Sequence, residues 1–135
     1  MIPLQRLRAE PDAIREGARL KGEQAPVDEI LELDARARDL RTRTEAHKAD
    51  QNRLTKAIHG VPTAEQRDEL ADLKLRVAAG DAELRDLDAR IEELLLAVPN
   101  PPHPSAPVGP DETGNVVVRV EGSPAEFAFT PLTHV

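Results

Sequence analysis

Apolar residues recur at alternating intervals of three and four along two long stretches of the chain. A repeat of this kind keeps one side of a helix against a partner along its whole length, and it predicts a coiled coil. The first series consists of Ile30, Leu33, Ala37, Leu40, Thr44, His47, Gln51, Leu54 and Ile58. The second series consists of Leu70, Leu73, Val77, Gly80, Leu84, Leu87, Ile91, Leu94 and Val98.

A short break, Gly60 to Pro62, separates the two stretches. Because such a short connection reverses the chain, each helix is expected to pair with the other in antiparallel orientation. Facing positions are then equidistant from Pro62, so that Leu40 faces Leu84. The two repeats and the break therefore predict a single register for a helical hairpin.

The ends of the predicted hairpin helices carry the expected terminal residues. We predict helices over residues 27–59 and 63–98. Gly60 suits the position just after a helix, and Thr63 with Gln66 has the pattern of a capping box at the start of the second helix. At 1.5 Å per residue, each helix would be about 45–50 Å long.

Residues 1–21 have an amphipathic pattern that predicts a short additional helix. Pro11 is suited to the first turn of its main run, and Gly22 to its end. We expect this helix to pack against the base of the hairpin, where Ile91 and Leu95 would otherwise leave apolar surface uncovered.

The character of the chain changes after Val98. The prolines of residues 99–107 exclude a helix or a central strand, so this part of the Pro-rich linker (residues 99–114) is expected to run extended as a semi-rigid strap. Residues 109–114 are expected to form a turn-rich loop. Residues 115–120 predict a short β-strand, and residues 126–130 predict a second one.

Composition agrees with a mainly α fold that has a thin core. The 135 residues include only two aromatic side chains and no cysteine, and 32% of the residues are charged. Such a chain can form a two-helix seam but not a thick globular core. The absence of cysteine excludes disulfides and thiolate metal sites. No apolar run is long enough for a membrane span and no signal peptide is recognisable, so a cytoplasmic protein is expected.

The net charge of −7 is unevenly distributed. Between Arg36 and Lys56 there are seven basic residues and three acidic ones, whereas the second helix has ten acidic and five basic residues. A basic strip on an acidic protein can still bind phosphates, with a strong dependence on salt.

Three stretches are distinctive in combination with the hairpin: MIPLQRLRAEPDAIREGARLKG at the start, ADQNRLTKAIHG before the break, and VPNPPHPSAPVGPDETGNVVVRV followed by PAEFAFTPLTHV. Together they resemble the N-terminal region of bacterial-type seryl-tRNA synthetases, and the resemblance covers nearly the whole chain. Its most specific part is the hairpin joined to the Pro-rich segment and the loop and strand that follow.

The resemblance implies that residues 1–98 form a helical tRNA-binding arm, residues 99–114 a linker, and residues 115–135 the truncated start of a class II catalytic domain. In that family the arm reaches across the dimer and holds the long variable arm and elbow of serine tRNA. The catalytic body activates serine with ATP and Mg²⁺, transfers it to the tRNA, and makes the homodimer. This chain matches none of the class II signature motifs, so no catalytic, cofactor-binding or metal-binding residue is assigned, and the chain alone is expected to be inactive.

Basic residues outside the hairpin seam are the candidates for contacts with tRNA. Arg41 and Lys48 share one flank of the first helix, and Arg36 and Arg43 share the other. The resemblance implies contacts mainly with phosphate and shape, which suits Arg and Lys on a rigid helix. The complete set of candidates is Arg36, Arg41, Arg43, Lys48, Arg53, Lys56, Arg67, Lys74 and Arg76.

Three alternatives stay open at this point. The same cations could be ordinary solvated residues paired within one helix, such as Arg41 with Glu45 or Arg76 with Asp72. The hairpin could be a structural or protein-interaction module with no RNA partner, or a stand-alone regulatory relative of the arm. His47 is interpreted as a partly exposed seam residue, since no convergent ligands for a metal are apparent.

Overall fold

The computed structural model describes residues 1–130 and 132, and the regular structure in this part of the chain is helical. Its α-helices are α1 (Leu4–Ala9), α2 (Pro11–Leu20), α3 (Val27–Ala57) and α4 (Ala64–Leu96). A single turn of 3₁₀ helix, Glu112–Gly114, follows them. None of the described helices combines the length and apolarity that crossing a bilayer requires.

Helices α3 and α4 form the predicted antiparallel hairpin. They contain 31 and 33 residues, and each is therefore about 46–50 Å long. The predicted ends at residues 59 and 98 lie slightly too late. Ile58 already has an extended backbone, with φ −80° and ψ 118°. Pro99 disfavours helical geometry in the residue before it, and α4 ends at Leu96.

The register of the hairpin agrees with the prediction from the two repeats. Thr44 of α3 lies directly against Gly80 of α4, and the two are equidistant from Pro62. A Cβ built on Gly80 would collide with the Thr44 hydroxyl oxygen. Gly80 is therefore the residue that allows the two helices to approach each other at this layer of the seam.

The apolar core is concentrated at the end of the hairpin near the chain termini. We call residues 27–44 and 80–96 the base half, and residues 45–57 and 64–79 the tip half. In the base half both sides of the seam are buried, whereas in the tip half Leu73 is the buried side chain and its seam neighbours are half-exposed. The buried residues of the base half include Ile30, Ala37, Leu40, Leu84, Leu87, Ile91 and Leu94.

Helices α1 and α2 pack against the base half, as predicted. Leu7 and Ile14 are fully buried and belong to the same apolar cluster as Leu95 and Val98. The predicted single helix over residues 1–21 is nevertheless two helices. Pro11 has no backbone N–H to continue α1, so the chain leaves helical geometry at residue 10 and restarts with Pro11 in the first turn of α2.

A buried carboxylate attaches α1 to α3. The Asp34 side chain is only 4% exposed, and Arg8 of α1 donates to both of its oxygens at 2.7 and 2.5 Å. Arg38 adds a contact at 3.3 Å. The Arg8 guanidinium holds the pKa of the Asp34 carboxyl below its usual range, because it stabilises the charged form.

The helix ends at the tip have the predicted capping interactions. Gln66 donates its backbone N–H to the Thr63 hydroxyl, and the Thr63 backbone N–H donates to the Gln66 side chain. This capping box satisfies two donors that α4 would otherwise leave unpaired. Gly60 has φ +86°, a left-handed conformation that favours glycine at this point of the turn.

The two predicted β-strands are not formed. Residues 115–120 and 126–130 have no strand pairing in the described part of the chain, and their apolar side chains, including Val118 and Phe129, are exposed. A strand needs a neighbour to satisfy its backbone hydrogen bonds, and no other described segment supplies one. Of the predicted catalytic-domain start at residues 115–135, residues 131 and 133–135 lie outside the described residues.

The Pro-rich segment is also not the uninterrupted extended strap that was predicted. The Ala106 N–H donates to the His103 carbonyl at 2.9 Å, which closes a turn. Before that turn the segment contacts α2. A Cβ built on Gly17 would lie 2.7 Å from the Cβ of Pro101, so the small residue makes this approach feasible.

Candidate nucleic-acid interface

The candidate cations of α3 and α4 fall into three groups, because the register fixes which positions of the two helices adjoin. The Arg41 flank contains Arg41 and Lys48 of α3 together with Arg67 and Lys74 of α4. The Arg43 flank, on the opposite side of the seam, contains Arg36, Arg43 and Arg76. The remaining two, Arg53 and Lys56, lie on the outer face of α3 near the tip.

Ion pairs across the seam establish the Arg41 flank. Arg41 pairs with Asp88 at 3.1 Å, and Lys48 pairs with Asp81 at 3.0 Å. The two cations are one heptad apart on α3, and the two carboxylates are one heptad apart on α4. These residues border an open groove of about 550 Å³ between the two helices.

The same row of α4 changes sign towards the tip. Arg67, Lys74, Asp81 and Asp88 follow one another at heptad spacing, so they lie along one edge of the helix. Arg67 and Lys74 are exposed, and neither has an ion-pair partner among the described residues. The Arg41 flank therefore carries four cations, with unpaired ones on α4 towards the tip and paired ones on α3 towards the base.

The Arg43 flank is paired throughout the described chain. Arg36 forms an ion pair across the seam with Glu83. Arg43 pairs with Asp39 at 2.9 Å within α3, and Arg76 pairs with Asp72 at 2.8 Å within α4. These cations are exposed but already have carboxylates close to their guanidinium groups.

The outer cations near the tip differ from each other. Arg53 pairs with Asp50 at 2.9 Å within α3, and its side chain is largely exposed. Lys56 is exposed and has no ion-pair partner in the described residues. Lys56 and Arg67 are on either side of the turn, so the tip presents unpaired positive charge from both helices.

The alternative of ordinary intrahelical pairing holds for some of the set. Arg76 pairs with Asp72 as that alternative predicts, whereas Arg41 pairs across the seam with Asp88 instead of with Glu45. Glu45 pairs with Lys48 at 3.1 Å. The pKa of the Lys48 ammonium is raised, because hydrogen bonds to two carboxylates stabilise its charged form. The bond to Asp81 has the larger effect and the bond to Glu45 the smaller one.

One cation of this surface, Arg85, is not among the residues predicted from the sequence. Arg85 borders the groove of the Arg41 flank, and its Nε donates to the Asp81 carbonyl oxygen at 3.2 Å. Its four-residue spacing from Asp81 on the outer side of α4 could have revealed it. His47 is half-exposed beside the seam, as predicted. The described residues contain no group of three or more His, Cys, Asp or Glu side chains arranged to hold a metal.

Chemically, the surface can bind a polyanion. Guanidinium and ammonium groups spaced along a rigid helix suit a regular array of phosphates. Exposed cations with no carboxylate partner can accept a phosphate without breaking an existing ion pair. The tip half is therefore the part of the hairpin best prepared to contact a nucleic-acid backbone.

A family model described as the seryl-tRNA synthetase N-terminal domain matches residues 1–102. Among curated relatives, the serine–tRNA ligase of Thermomicrobium roseum is 44% identical over 138 residues, and that of a Synechococcus species is 37% identical over 144 residues. Each alignment covers 99% of this chain, but 31% and 33% of the two relatives. The chain thus spans about a third of the length of the curated relatives it matches.

A solved structure gives the same family name. The crystal structure of seryl-tRNA synthetase from Pyrococcus horikoshii, complexed with ATP, superposes with a TM-score of 0.80 at 28% identity. The similarity covers 90% of this chain and 29% of that one.

Proposed function

Since the chain belongs to the seryl-tRNA synthetase N-terminal domain family, as its sequence predicted, we propose that it is the tRNA-binding arm of a serine–tRNA ligase. The observation that carries this proposal is the family match over residues 1–102, which includes both helices of the hairpin and the helices packed at its base. The relatives named serine–tRNA ligase support the same conclusion.

In the whole protein, this arm selects the tRNA while a class II catalytic domain performs the ligation. That domain activates serine with ATP, assisted by Mg²⁺, and transfers it to the tRNA. The domain division proposed for this chain is the arm over residues 1–98, a linker over residues 99–114, and the beginning of the catalytic domain from residue 115. The whole protein would be a cytoplasmic homodimer joined through its catalytic domains.

The RNA partner is a serine-accepting tRNA with a long variable arm, contacted at that arm and at the elbow. A rod about 46–50 Å long suits contact with RNA far from a catalytic centre. Folded RNA is recognised largely through its phosphates, its 2′-hydroxyls and its shape, and the exposed cations of the hairpin fit the phosphate part of this recognition.

Within the candidate set, the unpaired cations near the tip make the first contacts. Three of them have no carboxylate partner in the described structure: Lys56, Arg67 and Lys74. A phosphate can therefore bind them without competing with a carboxylate. Arg53 and the Arg43 flank contribute less, because their carboxylates compete with phosphate for the same groups.

A binding titration tests the proposed function. The chain is titrated at several salt concentrations with serine tRNA and with the same tRNA whose variable arm has been shortened. We expect the shortened tRNA to bind more weakly, because it removes phosphates within reach of the tip. Equal binding of the two RNAs, or no binding at low salt, would contradict the proposal.

The residues are tested with a triple variant, Lys56→Gln, Arg67→Gln and Lys74→Gln. If each cation contacts one phosphate, the slope of log affinity against log salt should decrease by about two to three units. The control removes the same amount of charge outside the hairpin, with Arg6→Gln in α1 and Arg19→Gln and Lys21→Gln at the end of α2. An equal loss of slope in the control would show that total charge, and not the tip surface, determines binding.

The alternative of a structural or interaction hairpin without an RNA partner receives no support from the relatives, which are named as tRNA ligases. The titration above also tests that alternative, because an interaction hairpin would not distinguish the two tRNAs.

A further inference from the structure

The ion pair of Arg41 with Asp88 differs in geometry and exposure from the buried ion pair of Arg8 with Asp34. Arg41 donates from a single nitrogen to both oxygens of Asp88, at 3.1 and 3.2 Å. Arg8 instead uses two nitrogens on the two oxygens of Asp34, in the paired geometry that gives the strongest guanidinium–carboxylate contacts. The Arg41 and Asp88 side chains are 50% and 56% exposed, so water reaches both groups.

Lys48 is held in a similar way by two carboxylates. Its Nζ lies 3.0 Å from Asp81 and 3.1 Å from Glu45. The Lys48 and Asp81 side chains are 36% and 43% exposed. Exposed ion pairs of this kind are weak, because water and salt compete for both partners. Another oxyanion can therefore replace the carboxylates at little cost.

We propose that Asp81 and Asp88 mask Lys48 and Arg41 as internal substitutes for phosphate, so that an RNA backbone binds the base part of the Arg41 flank only by displacing them. This inference rests on the proposed RNA-binding function. Carboxylate and phosphate oxygens accept hydrogen bonds from ammonium and guanidinium groups in the same way. Each carboxylate therefore occupies the place that a phosphate oxygen would take.

The position of Asp81 and Asp88 along the hairpin determines the order in which an RNA backbone would contact the cations of this flank. Lys74 and Arg67 continue the same row towards the tip without carboxylate partners in the described chain. An RNA backbone that first contacts these two residues lies on the same flank of the hairpin as Lys48 and Arg41. A correctly placed RNA can then exchange the carboxylates one heptad at a time, whereas an unrelated polyanion gains only the tip contacts.

The mask predicts that removing carboxylates increases RNA affinity through specific cations. The test variant is Asp81→Asn with Asp88→Asn. The matched control is Asp86→Asn with Glu92→Gln, which removes two exposed carboxylates of α4 that have no ion-pair partner in the described residues. Both variants change the net charge equally and leave the apolar seam intact.

We expect the test variant to bind serine tRNA about three- to tenfold more tightly than the control, the range for losing the two exposed ion pairs across the seam while Glu45 still pairs with Lys48. Its salt slope should be steeper by about one to two units, because in the parent chain each displaced carboxylate takes up a cation and cancels part of the counterion release. Adding Arg41→Gln and Lys48→Gln to the test variant should abolish both gains. Circular dichroism should show the same helix content in all variants.

The outcomes separate this inference from the proposed function. If serine tRNA binds the parent chain but the test variant and the control behave alike, the mask is wrong and the proposed function stands. If serine tRNA does not bind the parent chain, the proposed function is wrong, and a titration of the same variants with inorganic polyphosphate decides the mask. A polyphosphate affinity equal in the test variant and the control would then overturn it.

Discussion

The base half and the tip half of the hairpin follow the same seven-residue repeat but differ in burial and in charge. The base half has 11 acidic and six basic residues, whereas the tip half has six of each. The seam of the base half is buried on both helices, and helices α1 and α2 cover part of its outer surface. In the tip half most seam positions are half-exposed.

Because of this difference, the base half provides most of the stability of the hairpin, whereas the proposed binding surface lies in the tip half. Apolar burial provides most of the folding free energy, so the base half stabilises the rod. Its excess of carboxylates repels phosphates, which supports the proposal that a nucleic acid contacts the tip. The tip half gains less stability from its seam but keeps cations without carboxylate partners in the described chain. A thin, two-helix tip can therefore present charge at a distance from the core.

The largest expected effect comes from removing the same side chain in each half. Leu94 is buried in the base half, and Leu70 is half-exposed in the tip half of the same helix. Leu94→Ala should lower the free energy of unfolding by about 2–4 kcal/mol, because it leaves a cavity in the core. Leu70→Ala should cost about 1 kcal/mol or less. Urea unfolding followed by circular dichroism measures both, and equal losses would contradict the comparison.

The boundary between the halves is tested at Gly80. Gly80→Ala should destabilise the hairpin by about 1–3 kcal/mol, because the added Cβ collides with Thr44. Replacing glycine within a helix normally stabilises it by up to about 1 kcal/mol, so a loss indicates close packing. The double variant Gly80→Ala with Thr44→Ala should recover part of the loss in thermal unfolding. Independent, additive effects would show that the two residues are not in contact.

A smaller effect is expected for the buried carboxylate of the base half. Asp34→Asn should cost about 1–2 kcal/mol at neutral pH, because the charged hydrogen bonds from Arg8 are lost. The pKa of the Asp34 carboxyl is lower in the folded protein than in the unfolded chain. Its contribution is therefore complete above the unfolded value of about 3.9 and disappears as the pH falls through the lower folded pKa.

The unfolding free energies of the parent chain and Asp34→Asn, measured between pH 7 and pH 2, check this dependence. Their difference should narrow only at the acid end. Asp39→Asn is the matched control on the same helix, since Asp39 is exposed and pairs with Arg43. It should cost a few tenths of a kcal/mol, as exposed helical ion pairs do. A difference for Asp34→Asn that stays constant down to pH 2 would contradict the prediction.

The smallest effect is expected for exposed ion pairs. Arg90 bridges Glu29 across the base seam at 2.9 Å and Glu93 at 2.8 Å within α4, whereas Arg53 of the tip half pairs within its own helix. Arg90→Gln should lower the thermal unfolding midpoint slightly at low salt and less at high salt. Arg53→Gln should cost close to nothing. Thermal unfolding at two salt concentrations distinguishes these results, and a salt-independent loss for Arg90→Gln would refute the ion-pair explanation.

The sequence was most informative where structure depends on neighbours along the chain. The seven-residue repeat predicted the hairpin and its register, and the pattern of Thr63 and Gln66 predicted the capping box. The strands predicted at residues 115–120 and 126–130 were wrong, because strand propensity forms a sheet only when another segment supplies hydrogen bonds. The sequence predicted that Pro11 begins the main part of a helix. It did not predict that the residues before Pro11 form a separate helix, α1.

The candidate site was predictable as a set of cations and not as a set of interactions. Heptad spacing placed Arg41 and Lys48 on one flank without any structure. The sequence offered Glu45 as one possible partner of Arg41, since residues four apart are neighbours on a helix. In the structure Asp88 is the partner, because the opposite helix brings its carboxylate into contact.

Taken alone, the sequence determined the family, the hairpin and its register, because these follow from periodic patterns and local motifs. The tertiary structure decided which charges are paired and which are available. It buried Asp34 beneath Arg8, and it placed Asp81 and Asp88 on the cations of α3 while leaving Lys74 and Arg67 without such partners in the described chain. The physical reason is that electrostatic pairing depends on distances between helices, which no spacing along a single helix specifies.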